Sequence, residues 1–207
     1  MTGVGTTTGR VDGRTLRAER TRAAIVDAHL ALIGTGDLRP TGERIAERAG
    51  ISLRALWTNF KDMEALFAAS GEKLAERQAA AHRPIESGLP LPQRIEAYCE
   101  QRARMLEMLA PCARAAALRE PFSAQLKENR VKAIALVRAE IEEVFATELA
   151  LAGPGDGQLL QALVVASTWA SWSMLRDELG LDLDAARGVL ARTVSALLAA
   201  AITNSLR

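Results

Sequence analysis

The sequence predicts an all-α protein, and three observations carry that prediction. Helix-favouring residues dominate after Thr15, no stretch alternates apolar and polar residues strictly enough for a half-buried strand, and apolar positions recur at helical spacing between glycine and proline breaks. At 207 residues, 49% apolar and 25% charged, the chain is long enough for one large or two small cores. It is neither a disordered tail nor a fibrous repeat.

A first helix is expected from about Leu16 to Ile33, with Ile25, Ala28, Leu32 and Ile33 on one stripe and Gly34 and Gly36 ending it. Thr41 stands at an N-cap position before a very short helix that turns Ile45, Ala46 and Ala49 inward, and Gly50 breaks it. Ser52 offers a second N-cap for a helix through Asn59, with Leu56 and Phe60 four apart on its buried side. Lys61 and Asp62 restart the chain into a long helix that carries Met63, Leu66, Phe67 and Leu74 inward and fades near Ala81.

RPIESGLPLP, 83–92, with three prolines and a glycine, reads as a connector. Beyond it, helices are expected at about 93–109, 111–118 and 121–150, with Pro111 and Pro121 at helix starts, where a missing backbone donor does no harm. GPGDG, 153–157, reads as a turn. The last two helices, about 157–179 and 183–203, are joined by GLDLD, where Gly180 can end one and Asp182 cap the next.

The net charge of +1 hides an asymmetry: residues 1–61 hold ten Lys or Arg against six Asp or Glu, which leaves the remainder at about -3. A basic front on a mildly acidic body fits a nucleic-acid module joined to something else. Cys99, Cys112, His29 and His82 are too few and too scattered for a local zinc-type cluster, so neither metal nor cofactor is expected. The two cysteines read as small core hydrophobes, with a redox pair as the alternative. Leu159–Leu175, the most apolar stretch, is interrupted by Gln161, Ser167, Thr168, Ser171 and Ser173, and the N-terminus lacks a signal-peptide core, so a soluble cytoplasmic protein with no membrane partner is expected.

From Ser52 to Lys61 there is no carboxylate. A short helix, a tight glycine turn and a second helix, here within 41–60, form the unit whose second member fits the major groove. The stretch TGERIAERAGISLRALWTNFKDMEAL resembles the DNA-binding domain of the tetracycline-repressor (TetR) family over about Arg22 to Leu66: a small residue after IA, then AG, a β-branched residue, Ser, an aromatic, and Phe before a helix opening with acidic residues and Leu. PFSAQL and the closing tryptophan-rich helices are also similar to members of that family.

Helix geometry and the resemblance together assign roles. Leu53, Arg54, Ala55 and Thr58 are expected opposite Leu56 and Phe60, as base-edge contacts; Arg54 can pair with guanine O6 and N7, worth about 1–3 kcal/mol of discrimination. Thr41, Ser52, Trp57, Asn59 and Lys61 would hold phosphates near helix termini. Trp57 stands where the family usually has tyrosine, which keeps a donor and a flat ring. Met63 stands where it usually has lysine, which removes one phosphate contact. Arg10, Arg14, Arg17 and Arg20 of a basic arm offer compensation in the minor groove or along phosphates.

The division that follows is a flexible basic arm at 1–15, a helix-turn-helix DNA-binding domain at 16–64, and a ligand-binding and dimerisation domain at 65–207. The last two helices are apolar on more than one side, and Leu163, Val189, Val194 and Leu197 are the expected dimer contacts in a symmetric four-helix interface, as the family resemblance implies. The resemblance also implies a small-molecule effector in the body, for which Tyr98, Arg102, Met105, Trp169 and Trp172 are the candidate lining. The expected protein is a homodimeric transcriptional regulator, in the simplest form a repressor released from a palindromic operator on double-stranded DNA by its ligand. The alternative is a helical protein-binding adaptor or sensor whose N-terminal module leaves DNA alone. No nucleophile with its base, paired-carboxylate arrangement, phosphate-binding glycine loop or metal motif points to an enzyme.

Overall fold

In the computed structural model, which describes residues 13–152 and 157–205, every regular element is helical and the described residues contain no strand. α1 spans Gly13–Gly34, α2 Gly42–Arg48, α3 Leu53–Asn59 and α4 Met63–Ala81. α5 spans Leu91–Arg119, α6 Ala124–Val144, α7 Ala146–Leu151, α8 Gly157–Ala166, α9 Trp169–Ser173 and α10 Leu183–Ser205. Arg10 and most of the 153–157 turn lie outside the described residues, as does the side chain of Arg14. Arg17 and Arg20 stand on α1, as the expected helix start near Leu16 already placed them, and α1 begins slightly earlier, at Gly13.

The three N-caps of the first half fall at the expected kinds of residue. Thr41 Oγ1 accepts from Arg44 N–H, Ser52 Oγ from Ala55 N–H at 3.1 Å, and Asp62 Oδ1 from Ala65 N–H at 2.8 Å. Gly50, at φ +68°, makes the left-handed turn that lets Ile51 N–H reach the Ala46 carbonyl and reverses the chain between α2 and α3. Ile25, Leu30, Ile45, Leu56, Phe60 and Leu66 then close an N-terminal core from four helices, with Met63 packed partly buried against it.

The body has its own core, in which Tyr98, Leu106, Ile141, Phe145, Leu163 and Trp172 meet the inner face of α10. Three of the expected helix boundaries are corrected here. α5 runs through Pro111 without a break; the missing N–H leaves the Glu107 carbonyl without its helical donor, but Ala110 and Ala115 on either side are buried, and that packing holds the helix together. Pro121 sits in a short turn, Glu120–Phe122, and Ser123 caps α6 instead. The expected helix at 121–150 is interrupted at Phe145, whose ring is fully buried edge-on to Tyr98, 5.3 Å between centroids.

The expected 157–179 helix is likewise broken. Ser167 and Thr168 separate α8 from α9, and a wider turn, Met174–Glu178, follows before Gly180 at φ +64° ends the segment. The break exposes the Ser167 carbonyl to Arg102 Nε (2.8 Å), while Ser167 Oγ accepts from the Tyr98 hydroxyl at 2.8 Å. Leu183–Thr203 of α10 is the one described helix long and apolar enough to cross a membrane, but Ala186, Leu190, Val194, Leu198 and Ala201 bury its inner face against the body.

Candidate functional site

α2, the Gly50 turn and α3 form a helix-turn-helix unit whose outer surface is the first candidate site. Successive residues on a helix are about 100° apart, so Arg54 and Thr58 stand opposite Leu56 and Phe60, and both are exposed. Ala55 stands on the same outer side, about 120° from the centre of the buried stripe, although half-buried. Leu53 does not: it lies only about 40° from that centre by the same spacing, is half-buried and packs on the N-terminal core. Thr58 Oγ1 donates to the Arg54 carbonyl at 2.8 Å, so its hydroxyl faces outward as an acceptor.

The expected phosphate donors divide in the same way. The Ser52 hydroxyl uses a lone pair for the helix, which leaves its proton free to donate. Lys61 reaches out from the loop after α3 with its side chain 85% exposed and Asp62 3.7 Å away. Trp57 is exposed, and its indole N–H has no hydrogen-bond partner among the described residues. Asn59 is different: its amide is half-buried and uses one of its two N–H donors on the Ala55 carbonyl at 2.8 Å, which helps to finish its own helix. Thr41 shares its hydroxyl with Glu43, whose carboxyl is held below the usual range first by the backbone N–H at the start of α2 and then by that hydroxyl.

Two positions that sequence reasoning passed over complete this face. Arg22 of α1 donates from Nη1 to the Asn59 carbonyl at 2.7 Å and covers the Phe60 ring at 4.0 Å, so it anchors the last turn of α3 to the core. Gly42 leaves room for the Trp57 ring. A glycine directly after an N-cap residue was the only signal of it.

The second candidate site is a cavity of about 850 Å³ between the N-terminal unit and the body. Leu30 and Ile33 of α1, Phe67 and Leu74 of α4, and Leu106 and Leu109 of α5 make its wall largely apolar, with Asn129 of α6 and Trp169 of α9 across from them. Of the five residues expected to line a ligand site, Arg102 and Trp169 do so. Tyr98 is closed off against Phe145 and Ser167, its hydroxyl pKa pushed up by burial. Trp172 is buried with Nε1 donating to Glu107 at 2.8 Å, and Met105 is buried away from the cavity.

His29 and Ser70, hydrogen-bonded at 2.9 Å between His29 Nδ1 and Ser70 Oγ, also line the cavity and tie α1 to α4. Burial, and secondarily the Arg119 charge, lowers the His29 pKa to about 4. Asn129 Nδ2 donates to the Phe67 carbonyl (3.0 Å) over the bare Cα of Gly71, and Gln125 N–H donates to Glu64, so α6 is fastened along α4. Cys99 and Cys112 are free thiols in different cores; burial pushes Cys99 up to about 12 and Cys112 up as well, which suppresses the reactive thiolate.

The dimer contacts need revision too. Leu163 and Val194 are consumed by the chain's own core and Leu197 packs partly buried against it; only Val189 is exposed. Among the described residues of α8 and α10, the exposed large apolar side chains are Val165, Leu183 and Val189.

Fold and sites together define an all-helical chain with an N-terminal helix-turn-helix unit and a cavity-bearing helical body. That fold is similar to the crystal structure of a transcriptional regulator from Rhodococcus sp. Rha1, with a TM-score of 0.65 and 20% identity over 89% of this chain and 97% of that one. No protein-family model matches the chain, and no curated protein does.

Proposed function

We propose that the protein is a sequence-specific, DNA-binding transcriptional regulator of the TetR type, working in the cytoplasm as a homodimeric repressor that a small molecule releases from its operator, without chemistry of its own. Residues 16–64 bind DNA and 65–207 hold the effector and the second subunit. The observation that carries this reading is the carboxylate-free outer face of α3, with Arg54 exposed at its centre and Ser52, Trp57 and Lys61 as free donors around it. Arg54 reads a base edge and the others take phosphates.

Effector control is supported by the walls of the cavity. α1 belongs to the DNA-binding unit and contributes Leu30 and Ile33 to the same space that α5 and α6 enclose, so an occupant bears directly on how that unit is held. Dimerisation is supported by the outer face of α8 and α10, where Val165 and Val189 are exposed. Two such chains would set recognition helices about 34 Å apart, or a multiple, on a palindrome.

The test is selection from a randomised duplex pool by the purified protein, beside Arg54→Ala. Recovery of a palindromic site by the wild type, with relaxed preference at one base pair per half-site in the variant, supports the proposal. If neither protein enriches any site while the fold is intact, the face of α3 is a protein-docking or packing surface.

A further inference from the structure

Arg102 is the odd member of the cavity wall. Its side chain is only 7% exposed, yet its single hydrogen bond among the described residues runs from Nε to the Ser167 carbonyl. Glu140 forms an ion pair with Nη1 through Oε2 at 3.8 Å, beyond hydrogen-bonding distance, while its Oε1 accepts from Gln101 at 2.8 Å. The terminal nitrogens of Arg102 therefore carry donors that no described residue meets with a hydrogen bond, and neither nitrogen is walled in on all sides. Arg102 lines the cavity.

A guanidinium withdrawn from water with most of its donors unmet is costly, and an anion that accepts two of them together recovers that cost in the geometry arginine favours. Most of the other cations of the wall are matched within the chain. Arg130 and Lys132 also line the cavity, but each is matched by a carboxylate, Glu120 at 2.7 Å and Glu128 at 2.8 Å. Arg119, over the Phe67 ring, has no ion pair among the described residues and adds positive charge to the wall. The rest of the wall is largely apolar, broken by polar groups such as His29, Ser70, Glu72, Gln125 and Asn129, and the volume of about 850 Å³ lies within the range of small-molecule sites.

We propose that the effector is an amphipathic anion, an elongated apolar body with one carboxylate-type end group, and that Arg102 is the residue that pairs with that group. This deepens the reading of the cavity as an effector site and rests on it. A neutral ligand of the same shape leaves the guanidinium donors unmet, and a cation meets charge repulsion as well, so the cavity should rank three probes of equal chain length by charge.

The measurement is calorimetric titration of the full chain with decanoate, decan-1-ol and decyltrimethylammonium, each below its aggregation concentration, repeated on Arg102→Gln and Arg102→Lys. Decanoate should bind at least tenfold more tightly than the alcohol, and the ammonium more weakly still. Arg102→Gln should bring acid and alcohol within about twofold of each other, and Arg102→Lys should keep part of the preference, which holds the test open if the glutamine variant fails to fold. If the alcohol binds as tightly as decanoate, or the folded glutamine variant keeps the preference, the anion assignment is overturned and the cavity remains an effector site. Binding of none of the three overturns both.

Discussion

The indole of Trp57 lies across the bare Cα of Gly42: a β-carbon at position 42 would stand 2.6 Å from Trp57 Cζ2 and 3.2 Å from Leu53 Cδ1. The first residue of α2 thus seats a side chain of α3, and the seat sets where the indole N–H points. Gly42→Ala should swing the ring outward. Alanine is a better helix former by up to about 1 kcal/mol, so thermal stability should change little, while affinity for the operator falls by about fivefold, the worth of one displaced hydrogen bond. Unchanged operator affinity in a folded Gly42→Ala protein would show that the ring's position is immaterial to binding.

Lys61 and Arg54 should fail in different ways. Lys61, almost fully exposed on the loop after α3, is assigned to a phosphate, so Lys61→Ala should weaken operator and random DNA alike and reduce the slope of log affinity against log salt by about one. Arg54→Ala should instead cost about 1–3 kcal/mol on the operator and much less on random DNA. Fluorescence anisotropy across a salt series separates the two. Equal losses on both DNAs for Arg54→Ala would remove its assignment as a base reader.

His29 makes the junction of α1 and α4 acid-sensitive. Its folded pKa is lowered to about 4, by burial first and by Arg119 second, whereas the unfolded chain takes up its proton near pH 6.5. Between those values the unfolded state binds the proton and the folded state does not, so stability is whole above about pH 7 and falls as pH drops through the window. From pH 7 to 5 the loss should be about 2 kcal/mol. His29→Gln, which keeps a partner for Ser70, should flatten that loss in denaturant titrations at the two pH values. An equally steep loss in the variant would place the sensitivity elsewhere.

The all-helical fold and the first half of the molecule were legible because local chemistry decides them: Thr41, Ser52 and Asp62 cap, and Gly50 turns. Leu53 and Asn59 show the limit of reading a seven-residue helix by its ends. Each sits beside the buried stripe, and tertiary contact took the one inward and its own backbone took the other. In the body, the long-range partners decide. Proline does not end α5 because packing on both sides outweighs one lost hydrogen bond, and α8 breaks at Ser167 where two α5 side chains, Tyr98 and Arg102, claim its polar atoms. The assignment of Leu163 and Val194 to a dimer face failed for a related reason. An apolar residue on a helix covered on two sides carries no mark of which cover is its own chain.

Arg94 and Glu148 show how much the body depends on one such long-range pair. Arg94, on the first turns of α5, meets Glu148 of α7 through two bonds, 2.6 Å from Nη2 to Oε1 and 2.9 Å from Nη1 to Oε2. It also donates to the carbonyls of Val144 and Leu89. The Arg94 guanidinium holds the Glu148 carboxyl below the usual carboxylate range despite burial, and Glu148 in turn raises Arg94. Removing one partner strands a buried charge, so Arg94→Met should cost about 3–5 kcal/mol at neutral pH, while Arg94→Met with Glu148→Leu should recover most of that loss. The pH dependence follows the lowered carboxyl: the pair's contribution is present above about pH 4.3, the unfolded value, and fades as pH falls below it. Denaturant titrations of the four proteins at pH 7 and 3.5 give the coupling directly. A double variant as unstable as Arg94→Met would mean that the arginine's bonds to Val144 and Leu89, and not its pairing with Glu148, hold α5 against the end of α6.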